Sequence, residues 1–193
     1  MKKGFIVLFS ILGLLVLFFS WRSCQTDNSS NDSELQIHDS IEDMMKEIKA
    51  HWNVSKSIDE MTDKEVVTAI AYSSNKAQFD FPYDGGSILR MYVRKIENKL
   101  DVFFYISKGQ FDCNSYTGTD KITIRFGEEP AISYKACESA THDSQYIFIA
   151  KSSDARAILE KCKSAKDIKV QVSFFSQGSR VFNFNVEEPL SLD

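Results

Sequence analysis

The chain has 193 residues, 43% hydrophobic and 26% charged, the make-up of a globular protein long enough to bury a core. A net charge of −4 and a pI of about 5.5, with no run of Lys or Arg, exclude the basic face that counterion release on a nucleic acid requires. Only 3 Pro and 8 Gly exclude low-complexity and collagen-like chains.

Lys2 and Lys3 precede an uncharged apolar run over residues 4–20, followed by Trp21, Arg22, Ser23 and Cys24. A basic start before such a run predicts an export signal, with the rest of the chain on the extracytoplasmic side. Residues 1–24 are therefore the expected signal or membrane anchor, and the expected location is the cell envelope. A cleaved signal requires small residues where Trp21 and Arg22 stand. Two anchored readings follow. In one, Cys24 is the lipidated cysteine of a bacterial lipoprotein; Ser23 suits the position before it, whereas Trp21 and Arg22 do not suit theirs. In the other, the run is an uncleaved signal anchor at the short end of the spanning range, with Trp21 and Arg22 at the interface.

Residues 25–33 (QTDNSSNDS) carry no apolar side chain and read as a flexible linker. Ile37, Ile41, Met44, Ile48 and Trp52 then recur at helical spacing, with acidic residues early and lysines late. This predicts an amphipathic helix over 34–51, packed on the domain or serving as a stalk.

From Trp52 to the C-terminus (52–193) the period changes to two. Leu89, Met91 and Val93 alternate with Arg90, Tyr92 and Arg94, and Val102, Phe104 and Ile106 alternate with Phe103 and Tyr105. The same holds for Ile122, Ile124 and Phe126, for Ile168 to Phe174, and for Phe182, Phe184 and Val186. Such alternation predicts antiparallel strands with one face on a core. Glu97-Asn98, Asp84-Gly85-Gly86, residues 127–130 and Gln177-Gly178-Ser179 supply the turns, the last a hairpin. The 15 Phe point to aromatic-rich strands. Residues 66–73 have two readings. Thr62 and Glu65 have capping-box spacing, but Val66, Val67, Thr68 and Ile70 prefer a strand, the expected element. One inserted helix is expected, with Ser152, Ser153 and Asp154 as its cap and Ala155, Ile158, Leu159 and Cys162 as its stripe. The expected fold is mainly β, antiparallel and sandwich-like, with two helices; by count it is α+β.

An oxidising compartment favours disulfides. Cys113 and Cys137 flank the strands around 121–126 and 131–134, whose return brings their ends together, so a Cys113–Cys137 bridge is expected. In the chain-entropy model a loop of that size stabilises by about 3 kcal/mol. A reactive Cys113 is disfavoured, because only Asp112 and Asn114 flank it. Cys162 reads as a small buried hydrophobe.

No residue set signals catalysis, a metal or a cofactor. His38 and His51 lie thirteen positions apart, and His142 sits in a polar turn beside Asp143 and Ser144, whereas a triad joins residues distant in sequence. Asp84-Gly85-Gly86 lacks the Lys-Ser/Thr of a phosphate loop. The strongest candidate surface is a strand face carrying Arg90, Tyr92 and Arg94, flanked by Phe103 and Tyr105, since arginines beside aromatics are common at protein and carbohydrate contacts.

Trp52, Val54, Ser55 and Ser57, then Met61-Thr62-Asp63 and Val66-Val67, open a region of strands at 89–93, 102–106 and Ile124-Arg125-Phe126. A helix at 157–165, Phe182 and Phe184, and Pro189-Leu190 complete it. Over about residues 52–190 this order resembles small exported β-sandwich envelope proteins, including the VasI-like proteins associated with type VI secretion. The resemblance implies an exported sandwich and carries no catalytic residues. The aromatic stretch over 103–116 departs from it. The expected function is thus a non-catalytic, membrane-anchored binding or accessory protein of the bacterial envelope, with an envelope protein as partner. The alternative is an immunity or inhibitor protein against an envelope-targeting toxin.

Overall fold

The computed structural model describes residues 44–48 and 50–192. The anchor expected at 1–24, with Cys24, and the linker at 25–33 lie outside the described residues, as does most of the helix expected at 34–51. Residues 44–48 are helical, but 50 and 51 form a turn and a bend, so the described helical stretch stops short of His51. Met44, placed on the apolar stripe by its spacing, is exposed. Among the described residues, no helix is long and apolar enough to cross a membrane.

Alternation builds the strands. In β3 (Leu89–Ile96) the buried side chains are Leu89, Met91 and Val93, and in β5 (Lys121–Phe126) they are Ile122, Ile124 and Phe126. β8 (Asp167–Phe174) buries Ile168, Val170, Val172 and Phe174, and β9 (Gly178–Asn185) buries Phe182 and Phe184. The remaining strands are β1 (Asn53–Asp59), β2 (Lys64–Tyr72), β4 (Lys99–Ile106), β6 (Ile132–Glu138) and β7 (Tyr146–Ile149). They run β1-β2-β3-β4-β7-β6-β5-β8-β9, with every neighbouring pair antiparallel. Residues 66–72 belong to β2. Thr62 caps nothing: its N–H and hydroxyl both donate to Asp59 Oδ1 at 2.9 Å, closing the β1–β2 turn. These bonds to the charged form, the Thr62 hydroxyl first, hold the Asp59 carboxyl below its ordinary value.

Helix α1 (Ser152–Cys162) is the inserted helix. It buries Ala155, Ile158 and Cys162, with Leu159 partly buried against the same core. The expected side-chain cap is absent. Lys151 holds the cap position in extended backbone and makes no side-chain cap bond, while Ser152 and Ser153 lie already inside the helix. Asp154 in the first turn and Lys161 in the last suit the helix dipole instead.

One core cluster joins Leu89, Met91 and Phe104 from one half of the strand order with Ile124, Val170 and Phe182 from the other, together with Ile158. The chain itself ties these halves together just after β2. Ser73 N–H still donates to Leu89 O of β3, but Ser74 N–H donates to Asn183 O of β9, at the opposite end of the order. Asn75 then behaves as a short piece of strand: its side-chain amide donates to Val181 O at 3.0 Å, and its Oδ1 accepts from Asn183 N at 2.7 Å. Gly109 follows β4 with φ of 114°, and a Cβ there would lie 3.0 Å from the Phe79 ring, which packs on Phe174. Only glycine fits that approach without strain.

Replacing Asn75 removes both side-chain bonds to the β9 edge. Asn75→Ala is expected to lower unfolding stability by about 1–3 kcal/mol in urea titration. An unchanged midpoint would mean that the β9 edge does not need this junction.

Candidate binding face

Successive strand residues point to opposite faces, so the positions that do not enter the core form a second, outer face. Register places Arg90 opposite Tyr105, Tyr92 opposite Phe103, and Arg94 opposite Asp101. β2 sets Tyr72 beside Arg90 and Ile70 beside Tyr92, and β7 sets Phe148 beside Phe103 and Tyr146 beside Tyr105. The five residues singled out by the sequence, Arg90, Tyr92, Arg94, Phe103 and Tyr105, thus share one face.

The rings on this face touch. Tyr92 and Phe103 stack with centroids 4.7 Å apart and planes 7° apart, and Phe103 and Phe148 stack at 4.8 Å and 21°. Tyr105 and Tyr146 meet at 4.9 Å. The Arg90 guanidinium lies between two rings, 5.3 Å from Tyr72 and 5.1 Å from Tyr105, and Arg94 lies 5.3 Å from Phe103. Arg94 also donates to Asp101 Oδ2 at 2.8 Å. Phe103 is only 7% exposed, so a ring on the outer face is as covered as a core residue. The Nε atoms of Arg90 and Arg94 are buried with no hydrogen-bond partner among the described residues. Burial works against the Arg90 charge, but a side-chain hydrogen bond with Tyr92 and the nearby Tyr72 and Tyr105 outweigh it and raise its pKa. Burial, with Tyr92 and Tyr105 close by, raises the Tyr146 hydroxyl, which stays protonated at neutral pH.

A cleft of about 370 Å³ opens between this ladder and the turn after β6, lined by Tyr92, Arg94, Phe103, Tyr146 and Phe148 on one side and Ser139, Thr141 and Asp143 on the other. Ser139 fixes that turn, its Oγ accepting from Asp143 N at 2.8 Å. Tyr72, Tyr146, Phe148 and the turn were not singled out by the sequence. In β7 all four side chains (Tyr146, Ile147, Phe148, Ile149) are apolar or aromatic, because Ile147 and Ile149 enter the core while the other two enter the ladder. The period-two contrast therefore vanishes.

The histidines converge on nothing. His142 pairs with Glu138 at 3.3 Å and His51 with Glu187 at 3.6 Å, both on the surface; His38 lies outside the described residues. Among the described residues, no group of three or more His, Cys, Asp or Glu could hold a metal ion.

Cys113, Cys137 and Cys162 are all free thiols, so the expected Cys113–Cys137 bridge is not formed. Cys137 projects from β6 beside Phe148, with Sγ 3.8 Å from Phe148 O. Cys113 is half-buried against the core cluster. The two are near enough to interact electrostatically: burial first, then Cys137 and the carboxylates of Glu138, Asp120 and Asp112, push the Cys113 thiol up to about 11. Burial alone pushes Cys162 up to about 12. The return of the strands thus leaves Cys113 and Cys137 unjoined.

No family model matches the chain, and no curated protein or solved structure matches it either.

Two outcomes follow from this geometry. Phe103→Ala should cost about 3 kcal/mol or more, as a buried aromatic does, whereas Arg94→Ala should cost about 1 kcal/mol or less, because its ion pair with Asp101 is partly solvated; equilibrium unfolding of both variants separates them. A thiol titrating near 11 rather than 9.0 holds about a hundredth of the thiolate at pH 8. Alkylation of Cys113 in the folded chain should accordingly be slow at pH 8 and speed up as pH rises toward 11. Rapid alkylation at pH 7 would contradict the burial and charge placed around it.

Proposed function

We propose that this chain is a non-enzymatic binding protein of the bacterial cell envelope, anchored through residues 1–24, and that its outer sheet face docks a protein partner. The stacked Tyr92–Phe103–Phe148 ladder, with Arg90 and Arg94 laid over its neighbouring rings, carries this reading. A sheet face that only meets water is expected to be polar. This one gathers the residue types enriched at protein interfaces, aromatics and arginine, around a cleft. Rings stacked on each other offer their edges outward. A sugar needs an open ring face, so the arrangement favours a protein over a glycan.

The apolar run at 4–20, with Trp21 and Arg22 after it, supports the anchor, whether lipidated at Cys24 or uncleaved. The same reading takes the nine strands as sandwich-like around one core, in keeping with the exported envelope proteins that the sequence resembles. An envelope-targeting toxin is one partner class that such a face would serve.

The full chain, solubilised in non-ionic detergent and immobilised, is expected to retain an envelope protein in a saturable way. Arg90→Ala and Arg94→Ala, tested singly after unfolding curves show that they fold, should each weaken retention about tenfold or more. Retention indifferent to both substitutions would refute the docking face.

A further inference from the structure

A second site lies away from the aromatic ladder, where the β3–β4 hairpin tip meets α1. The inner-face positions of β3 run Leu89, Met91, Val93 and then Lys95. The first three are buried in the core, and the fourth carries the same register past the end of it. Lys95 is paired across the hairpin with Leu100, and Lys99 begins the returning strand. From α1 come Arg156 and Leu159, and from its C-cap Lys163; spaced three and four apart, they lie along one side of the helix. Together with Leu192 they enclose a cleft of about 350 Å³.

Its charge is one-sided. Among the described residues, four cations, Lys95, Lys99, Arg156 and Lys163, face it against one lining carboxylate, Glu97. Glu97 is engaged by Lys64 at 3.1 Å, and Lys163 by Glu160 at 2.8 Å. Lys95, Lys99 and Arg156 form no ion pair among the described residues, in a chain whose net charge is −4. Beneath the cations, Leu100, Leu159 and Leu192 supply an apolar wall. Cations around an apolar wall suit a ligand with both characters. A guanidinium fork and flanking ammonium groups match the several oxygens of a phosphate, and the leucines match a hydrocarbon portion.

We propose that this cleft binds the phosphate group of an anionic amphiphile, with its apolar part against Leu100, Leu159 and Leu192. The proposal is independent of the outer face and of any protein docked there.

The test is thermal unfolding of the full chain in non-ionic detergent with dihexanoyl phosphatidylglycerol, since a ligand that binds only the folded state raises Tm with concentration. A saturable rise is expected, with no rise from phosphatidylcholine of the same chain length. Inorganic phosphate, which lacks the apolar part, should need a concentration about tenfold higher or more. Lys99→Ala/Arg156→Ala should shift the phosphatidylglycerol response about tenfold or more to higher concentration. Lys56→Ala/Lys121→Ala, which removes equal charge from exposed strand positions elsewhere, should leave it in place. An equal response to phosphatidylcholine or to inorganic phosphate would overturn the proposal, as would equal weakening by both double variants or no response at all.

Discussion

The hydrogen bonds that Ser74 and Asn75 make with β9 hold the two halves of the strand order around one core. An end strand carries a row of backbone donors and acceptors that need partners. Here they come from the chain itself, immediately after β2 leaves β3. Ser73, fully buried at the changeover, fixes the bend with its hydroxyl, which donates to Asn75 O at 2.8 Å and accepts from Leu89 N at 3.1 Å. With the halves brought together, Phe79 and Phe111 reach Phe174, and side chains from both ends of the order fill one interior. β1 stands outside this arrangement. Among the described residues it is paired only with β2, and it is exposed along most of its length, including Val54 and Ile58.

Both candidate sites follow from where the interior stops. In the middle of β3 and β4, alternate residues fill the core, and the residues between them meet their counterparts on β2 and β7 to make the aromatic ladder. At the hairpin tip the same alternation passes beyond the core, and Lys95 and Leu100 face α1 across a basic cleft. One strand pair thus carries two surfaces of different chemistry, one of stacked rings with arginines over them, the other of lysines around leucines.

The strands most legible in the sequence have one apolar and one polar face: β3, β5, β8 and β9. Those that were harder to read lack that contrast for opposite reasons. β7 is apolar or aromatic on both faces because one face enters the core and the other joins the aromatic ladder, whereas β1 (NVSKSID) is mostly polar because, among the described residues, neither face packs on the core. The candidate face was legible in part. Arg90, Tyr92 and Arg94 declare themselves by i, i+2 spacing, and Phe103 and Tyr105 do the same on the next strand. Tyr72, Tyr146 and Phe148 join them only through pairing across the sheet, which spacing along the chain does not encode. The helix cap shows the converse. Ser152, Ser153 and Asp154 have capping chemistry, but the core fixes the register of Ala155, Ile158 and Cys162 and draws the helix start back to Lys151.

By itself the sequence determined the local periods: which stretches alternate, which turn, where one helix falls, and that two arginines and a tyrosine share a strand face. Those properties depend on neighbours one to four residues apart. The tertiary structure alone decided that β7 inserts between β4 and β6, that Asn75 closes on β9 more than a hundred residues later, and that Cys113 and Cys137 stay unjoined. Each of these concerns segments distant along the chain and is decided by how the whole set of apolar faces is buried at once.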